Sequence, residues 1–205
     1  MDLTDREPKV TFLDRWQRVA RRIRVPLGFV AAAIYLWQLW VHKPLPMHIL
    51  WSLALVLPGL LLRAYAAGYV KKNAELTITG PYAHVRNPLY LGSILIAAGF
   101  AVALMSWPFA IVLAAFFLLI YVPVIASEER FLRDTFLEFE WYCARVPRLI
   151  PRVTPVRSPD ARPGSGGSFS FALYMKHREY NSAIGASLLY CSLYLGTVGH
   201  ALLGR

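Results

Sequence analysis

The chain has 205 residues, 57% of them hydrophobic, and a mean hydropathy of +0.43. Soluble domains contain about 45–50% apolar residues, so this composition indicates a membrane protein. The formal net charge of +10 would suit nucleic acid, but the placement of the basic residues favours a membrane instead. Cys143 and Cys191 lack metal-ligand spacing and form no disulfide framework, so we expect packing thiols and no bound metal.

The apolar stretches come first in the prediction of the fold. Four of them predict membrane spans at residues 25–41, 48–70, 89–106 and 108–126, and a less apolar fifth follows at 180–203. Some are shorter than the ~20 residues that cross the hydrocarbon core, so their interfacial flanks must contribute. Residues 1–24 are charged and lack the apolar stretch of a cleavable signal peptide.

Basic residues predict how these spans are oriented. With the N-terminus in the cytoplasm, seven lie in residues 1–24, nine from Arg130 to Arg178, and four more at Arg63, Lys71, Lys72 and Arg86. Only Lys43 and Arg205 fall on the opposite side. This positive-inside asymmetry predicts an all-α integral membrane protein with about five transmembrane helices, its N-terminus inside and its C-terminus outside. We attribute the basic residues to membrane topology and to attraction to lipid headgroups, and we predict no nucleic-acid partner.

The chain divides into a basic interfacial arm (1–24), a core of four spans and a cytoplasmic helix (25–153), a flexible linker (154–170) and a C-terminal transmembrane helix (171–205). Residues 12–24 form an amphipathic pattern typical of a helix that lies at the interface before the chain turns into the membrane. Its apolar face comprises Phe12, Trp16, Val19 and Ile23.

Two junctions within the core carry local signals. Ser106, Trp107 and Pro108 predict a tight hairpin between the third and fourth spans. After residue 126 the sequence becomes charged, and Ser127 is a possible helix N-cap. The favoured interpretation is that the fourth span continues into the cytoplasm as one helix.

The segment from residue 80 to residue 92 reads Gly-Pro-Tyr-Ala-His-Val-Arg-Asn-Pro-Leu-Tyr-Leu-Gly. Two prolines, an arginine and an asparagine suit a lipid-facing helix badly. Irregular backbone at membrane depth is tolerated only where protein or a polar cavity satisfies its N–H and C=O groups. The segment therefore predicts a pocket at the membrane face.

Charged residues near this segment allow two interpretations each. Arg63 lies inside the second span, where an arginine costs at least ~2.5–3.5 kcal/mol and normally meets a partner, unless it reaches the headgroups by snorkelling. Arg86 belongs to the broken segment and is either a pocket residue or a surface phosphate ligand. Glu128 and Glu129 face either a local cation, such as Arg133 at i,i+4, or a cationic ligand. Together these groups suit a zwitterionic cofactor presented to a membrane-dissolved substrate.

Three ordered motifs give the sequence a family resemblance. Residues 80–92 resemble the Gly-x-Tyr-x-x-x-Arg-His-Pro-x-Tyr-x-Gly signature of the integral-membrane methyltransferases, which include isoprenylcysteine carboxyl methyltransferases and phospholipid N-methyltransferases. Glu128-Glu129 resembles the paired glutamates of that family, and Tyr142 with residues 145–151 resembles its Tyr…Val-Pro-Arg-Leu-Ile-Pro element. Arg63 stands where the family has an intramembrane arginine. The resemblance covers roughly residues 55–152.

The resemblance implies a helical membrane enzyme that binds S-adenosylmethionine at the cytoplasmic face and methylates a lipophilic or amphiphilic acceptor. It implies catalytic roles for Arg63, Arg86 and Glu129. The cofactor-binding residues that it implies are Tyr82, Arg86, Asn87, Pro88, Tyr90, Leu91, Gly92, Glu128, Glu129, Tyr142 and Arg148. Aromatic rings among them are expected to face the sulfonium through cation–π attraction.

The chain departs from the family pattern at three positions. Asn87 replaces the histidine before the proline, Ala74 replaces another histidine, and Leu137 stands where many members have glycine. Asparagine donates and accepts hydrogen bonds but is no base near neutral pH. An acceptor that is already an ionised carboxylate needs no base, whereas N-methylation of a phospholipid or small amine needs a neutral amine. An inactive membrane scaffold is a third alternative.

The last predicted span lies outside the resemblance. Its small residues, among them Gly185, Ala186 and Gly199, suit close helix packing and leave a homodimer possible. Just before and at its start, Glu179 and Tyr180 are candidate substrate residues that close the acceptor side of the pocket, and Arg63 of the second span is a third candidate substrate residue. The alternative is a packing helix with a basic inner anchor.

Overall fold

A computed structural model describes residues 12–42, 44–71, 75–157 and 167–202. Within these ranges the chain forms helices and no strand. The elements in chain order are α1 (Phe12–Val41), α2 (Pro46–Tyr69), a 3₁₀ helix (Gly80–Ala83), α3 (Pro88–Leu104), α4 (Trp107–Phe116), a π-helix (Phe117–Tyr121), α5 (Val122–Thr135), α6 (Phe139–Arg145), α7 (Phe171–Lys176) and α8 (Tyr180–Leu202).

Three helical segments in the described ranges are long and apolar enough to cross a membrane: Pro46–Tyr69, Trp107–Thr135 and Tyr180–Gly199. The other two predicted spans coincide with shorter apolar helices, Gly28–Val41 and Pro88–Leu104. The all-α membrane character is therefore confirmed, and three of the five predicted spans meet the length criterion on their own. The orientation with the N-terminus inside and the C-terminus outside stays a prediction.

Helix α1 does not end at the predicted boundary near residue 24. It runs unbroken from Phe12 to Val41 with Pro26 inside it, because a proline removes one hydrogen bond yet keeps a helical φ. On its predicted interfacial face, Trp16 donates from Nε1 to the carbonyl of Leu119 at 3.1 Å, and Ile23 packs against residues of the fourth span. These two residues therefore contact protein, whereas the side chain of Phe12 lies outside the described part.

Close packing of α2 against α3 sets the position of Arg63. A Cβ atom added to Gly59 would lie 2.8 Å from the Gly92 carbonyl oxygen, and one added to Gly92 would lie 2.5 Å from Cγ of Arg63. Both positions must be glycine for the two backbones to approach this closely. Deeper along the same interface, Val56 and Phe100 belong to the main apolar core.

The junctions of the core follow their sequence signals. Met105 adopts a left-handed conformation with φ of 47°, and the Ser106 side chain caps α4 by accepting from the Phe109 N–H. The fourth span continues past Ser127 through α5, as predicted. Ser127 is not an N-cap, since its hydroxyl donates to the Val124 carbonyl at 2.8 Å.

The π-helix (Phe117–Tyr121) directly precedes a proline, since Pro123 lies two residues after it. Pro123 has no N–H to donate to the Leu119 carbonyl four residues earlier. That carbonyl accepts the indole N–H of Trp16. A one-turn π-helix at this point also turns Tyr121 toward the cavity described below.

The C-terminal part returns to α2. Residues 158–166 of the predicted linker lie outside the described ranges, and the backbone N–H of Ser170 donates to the Gly68 carbonyl at 2.9 Å. The predicted single helix 171–205 is two helices, because the chain turns between α7 and α8, where Arg178 has φ of 53°. This turn holds Glu179 beside α2. In α8, Ala186 and Leu193 are buried in the core, and a homodimer stays a prediction.

Candidate active site

A cavity of about 570 Å³ lies where the end of α2, the broken segment, α5 and α6 meet. Ten predicted site residues line it: Arg63, Tyr82, Arg86, Asn87, Pro88, Tyr90, Glu128, Glu129, Tyr142 and Glu179. They come from segments up to 116 residues apart in the chain, as the Arg63–Glu179 contact illustrates. The volume falls within the range of about 300–1,000 Å³ that is typical of small-molecule sites.

Glu129 is the buried centre of one wall, with 4% of its surface exposed. Arg148 binds it with two nitrogens, Nη2 to Oε2 at 2.6 Å and Nε to Oε1 at 3.2 Å. Asn87 Nδ2 donates to Oε1 at 3.2 Å, and Arg86 Nη1 lies 3.5 Å from the same oxygen. The expected local partner, Arg133, instead pairs with Glu140. Glu129 therefore joins α5 to the broken segment and to residues 145–151. Its ion pair with Arg148 raises the pKa of the Arg148 guanidinium.

Arg86 has donor capacity left beside this carboxylate. Its Nη1 donates to Cys143 Sγ at 2.7 Å, while its buried Nε has no hydrogen-bond partner in the described part of the chain. A buried guanidinium nitrogen without an acceptor is unfavourable, so it is available to an anionic ligand. Cys143 is more than a packing thiol, and burial raises its pKa.

Glu128 faces a small aromatic group. The Tyr90 hydroxyl donates to Glu128 Oε1 at 2.8 Å, and the Tyr90 ring meets the Tyr121 ring edge to face at 5.4 Å between centroids. All three residues line the cavity. The group places a carboxylate next to two electron-rich rings, which is a favourable environment for a cation.

The two other tyrosines hold the broken segment in place. The buried Tyr142 hydroxyl donates to the Tyr82 carbonyl at 2.7 Å, and burial raises the pKa of both phenols. The stretch after α6 adds backbone bonds, from the Arg86 N–H to the Pro147 carbonyl at 2.9 Å and from the Arg152 N–H to the His84 carbonyl at 3.0 Å. Residues 147 and 152 thus satisfy part of the irregular backbone that the prolines create.

Arg63 does not snorkel to headgroups. Its guanidinium binds both oxygens of Glu179, with Nη2 at 2.9 Å from Oε1 and 2.8 Å from Oε2. Nη1 donates to Ser93 Oγ at 2.5 Å and to the Leu89 carbonyl at 3.1 Å, and Nε also reaches Ser182 Oγ at 3.1 Å. Every guanidinium nitrogen of this intramembrane arginine therefore has a partner, supplied by α3 and by the C-terminal turn.

Residues 47–138 match the model of the phospholipid methyltransferase family. This match confirms the resemblance to the integral-membrane methyltransferases. It includes Arg63, the broken segment and both glutamates of the methyltransferase motifs, and it ends before Tyr142, Arg148 and Glu179.

Two curated relatives align with about half of the chain. The nickel-cobalt-cadmium resistance protein NccN of Alcaligenes xylosoxydans xylosoxydans is 37% identical over 109 residues, 52% of this chain and 51% of the relative. The cobalt-zinc-cadmium resistance protein CzcN of Cupriavidus metallidurans is 38% identical over 97 residues, 46% of this chain and 45% of the relative. The chain thus spans about half the length of the relatives it matches. No solved structure matches it.

Four predicted site residues do not line the cavity: Leu91, Gly92, Arg148 and Tyr180. Arg148 acts through Glu129, and Gly92 provides the close approach of α3 to Arg63. Among the departures from the family pattern, Asn87 donates to Glu129, Leu137 is fully exposed, and Ala74 lies outside the described residues.

Several lining residues of this cavity were not predicted. They are Val70, Lys71, Glu75, Leu76, Thr77, Leu89, Ser93, Tyr121, Phe131, Leu132 and Phe139. The loop after α2 has no motif that would mark it. Tyr121 had one usable signal, because Pro123 lies two residues after it within the fourth span. Groups of three or more metal-ligating side chains are absent from the described residues.

Proposed function

We propose that the protein is an S-adenosylmethionine-dependent methyltransferase that acts on a lipophilic or amphiphilic acceptor, with the 570 Å³ cavity as its cofactor site. The observation that carries the proposal is the convergence of the three motif elements on one cavity that contains a buried, unpartnered arginine nitrogen. From the positive-inside asymmetry we place the mouth of this cavity at the cytoplasmic face.

The donor set fits both charges of the cofactor. Arg86 would bind the carboxylate through Nε, its nitrogen without an acceptor in the described structure. Glu128 would bind the ammonium group, and the rings of Tyr90 and Tyr121 would lie near the sulfonium. Glu129 is occupied by arginines and would act as a positioning residue that keeps Arg86 oriented.

When bound, S-adenosylmethionine supplies a methyl group activated by positive sulfur. The protein contributes mainly orientation, since holding two reactants in line removes several kcal/mol of a barrier. Asn87 is no base, and its amide is engaged by Glu129 and by the Arg148 carbonyl. An acceptor that presents a free lone pair when it reaches the cavity needs no base at position 87.

Two acceptor classes meet this requirement. An ionised carboxylate, as in isoprenylcysteine-like substrates, needs no base. A phospholipid or small amine needs to arrive unprotonated, and the description of the matching family favours this alternative. Labelled cofactor offered with lipid acids, lipid amines and lipid thiols would separate them by the product that carries the label.

The first test is S-adenosylmethionine binding to purified protein in detergent, measured by calorimetry. We expect wild type to bind and Glu128→Gln to bind roughly tenfold or more weakly, because a hydrogen bond to a charged group contributes about 1.5–3 kcal/mol. Glu140→Gln is the matched control, since Glu140 lies outside the cavity and pairs with Arg133. Absence of binding by folded wild type would leave the scaffold as the better description.

A role in metal tolerance is a second candidate, which the names of both relatives favour. We propose that such a role would arise from methylation of a membrane component. Cells that lack the protein should then grow poorly in cadmium or cobalt, and wild type should restore growth where Glu128→Gln does not. Equal rescue by the variant would contradict a methylation-based role.

A further inference from the structure

The chain after α5 contains a strongly basic stretch, residues 145–157, with four arginines and no aspartate or glutamate. Arg148 of this basic stretch binds Glu129. The other three arginines have no ion pair within the described ranges: Arg145, Arg152 and Arg157. Exposed basic residues elsewhere can have one, as Arg133 does with Glu140. The basic stretch therefore presents positive charge that the described part of the protein does not neutralise.

Two aliphatic side chains of the basic stretch are exposed. Ile150 has 80% of its surface accessible, and Val153 has 94%. Beyond the end of α6 the stretch forms no helix, and prolines at positions 147, 151 and 155 remove backbone donors. Exposed aliphatic side chains among basic residues are typical of a segment at a membrane interface, where the apolar groups reach the acyl chains and the basic groups meet the headgroups.

The basic stretch is attached beside the start of α3. The Val156 N–H donates to the Ala83 carbonyl at 3.0 Å. The Pro147 carbonyl accepts from the Arg86 N–H, two residues before α3 begins at Pro88. Helix α3 is one of the shorter apolar helices that coincide with a predicted span. The stretch therefore lies at the end of that span, at the level where a layer of lipid headgroups would meet it.

We propose that the basic stretch binds the surface of a membrane that contains anionic phospholipid, with Ile150 and Val153 inserted toward the acyl chains and the arginines among the headgroup phosphates. An acidic soluble protein would match the charge alone. A lipid surface matches the charge, the exposed aliphatic side chains and the position at the end of a span. From the positive-inside asymmetry we place this contact at the cytoplasmic leaflet, where anionic lipids attract basic residues.

The inference goes beyond the proposed function and does not depend on cofactor binding. It also gives the basic stretch a second partner, because Arg148 already binds Glu129 in the wall of the cavity. The element that holds Glu129 would thus be the element that contacts the lipid.

Leu137 provides a control within the same chain. It is a fully exposed aliphatic residue in the turn between α5 and α6. Its charged neighbours include three acidic residues, Asp134, Glu138 and Glu140. Acidic residues are repelled by an anionic surface, so we expect Leu137 to face water. A comparison of Leu137 with Ile150 therefore separates the effect of exposure from the effect of charge.

The first test measures membrane depth at single cysteines in a Cys143→Ser/Cys191→Ser background. Nitroxide labels on Ile150→Cys, Val153→Cys and Leu137→Cys are compared in vesicles of phosphatidylcholine with phosphatidylglycerol. Relaxation by membrane-soluble oxygen should dominate at positions 150 and 153, and relaxation by a water-soluble nickel chelate should dominate at position 137. In vesicles of phosphatidylcholine alone, positions 150 and 153 should become more accessible to the nickel chelate. Val153→Cys carries the test if Ile150→Cys fails to fold.

The second test measures how the charge contributes. Dioctanoyl phosphatidylglycerol is titrated into the protein in detergent, and binding is followed by a fluorophore on Ile150→Cys in the same background. Arg145→Gln/Arg157→Gln should weaken the apparent affinity about 25-fold, roughly fivefold for each charge removed. Arg133→Gln is the matched control, an exposed arginine outside the basic stretch that pairs with Glu140, and it should leave the affinity near that of the parent.

Three results would overturn the proposal. The first is relaxation dominated by the nickel chelate at positions 150 and 153 in the anionic vesicles, as at position 137, which would leave the basic stretch to a soluble partner. The second is equal depth with and without phosphatidylglycerol. The third is an affinity for dioctanoyl phosphatidylcholine equal to that for dioctanoyl phosphatidylglycerol. Neither test uses S-adenosylmethionine, so failure of the proposed function would not change these results.

Discussion

Two arginine–glutamate centres line the same cavity and differ in how fully they are satisfied. At Arg63, one carboxylate, two serines and a carbonyl occupy every guanidinium nitrogen. At Glu129, one carboxylate is shared by two arginines and an asparagine, and Nε of Arg86 is left without an acceptor in the described structure.

The difference separates two tasks. An arginine whose nitrogens all have hydrogen-bond partners is fixed in place and suits a structural role, because any new ligand must first displace an existing bond. An arginine with a free buried donor suits recognition of an anion, because a ligand removes an existing penalty when it binds. The first centre also depends on a residue outside the family match, whereas Glu129 and Arg86 both lie inside it.

Removal of Glu129 should have the largest effect. Glu129→Ala leaves Arg86 buried without its carboxylate, and loss of one partner of a buried pair destabilises by about 3–5 kcal/mol. Because Arg148 is half exposed, we expect the free energy of unfolding to fall by about 3 kcal/mol, at the low end of this range. Thermal unfolding in detergent measures it, with Glu140→Ala as the exposed control. A small loss in Glu129→Ala, equal to the control, would remove the distinction between the centres.

The Arg63 centre should give the next largest effect. Arg63→Met and Glu179→Met each leave one charged group without its partner. The double variant should therefore lose less stability than the sum of the losses in the two single variants. A double-mutant cycle should give a coupling of about 1.5–3 kcal/mol. S-adenosylmethionine affinity should change little in the double variant. A large drop in that affinity would mean that Arg63 also binds the cofactor.

The Arg86–Cys143 contact should give the smallest effect, because sulfur is a weak acceptor. In a Cys191→Ser background, Cys143 is the single thiol of the chain. Burial raises its pKa, so alkylation by iodoacetamide should be slow at neutral pH and rise in the alkaline range. Arg86 lowers that pKa, so Arg86→Met should move the midpoint of the pH profile further upward. A midpoint that moves downward would contradict the contact.

Much of the site followed from sequence because its motifs are local. The two prolines of the broken segment predicted irregular backbone, and the structure joins that backbone to residues 147 and 152. Glu128 and Tyr90 were both expected near the cofactor, and they share a hydrogen bond. Such features follow from the chemistry of a few neighbouring residues.

Other features depend on distances that a sequence does not encode. Glu179 was expected at the pocket, but its bond to Arg63 requires the turn between α7 and α8, which apolar periodicity does not predict. The boundary expected near residue 24 failed because Pro26 is accommodated inside α1. The π-helix was not predicted, because the one extra residue that it adds to a helical turn hardly alters the hydrophobic pattern.

The bond between Trp16 and Leu119 links the making of this protein to its final form. The two residues are 103 positions apart, so the indole is synthesised long before the carbonyl that it will satisfy. Until the fourth span is synthesised, the first helix lacks the partner for its tryptophan. Docking of the first helix on the fourth span can therefore be completed only after the chain has been made through Leu119.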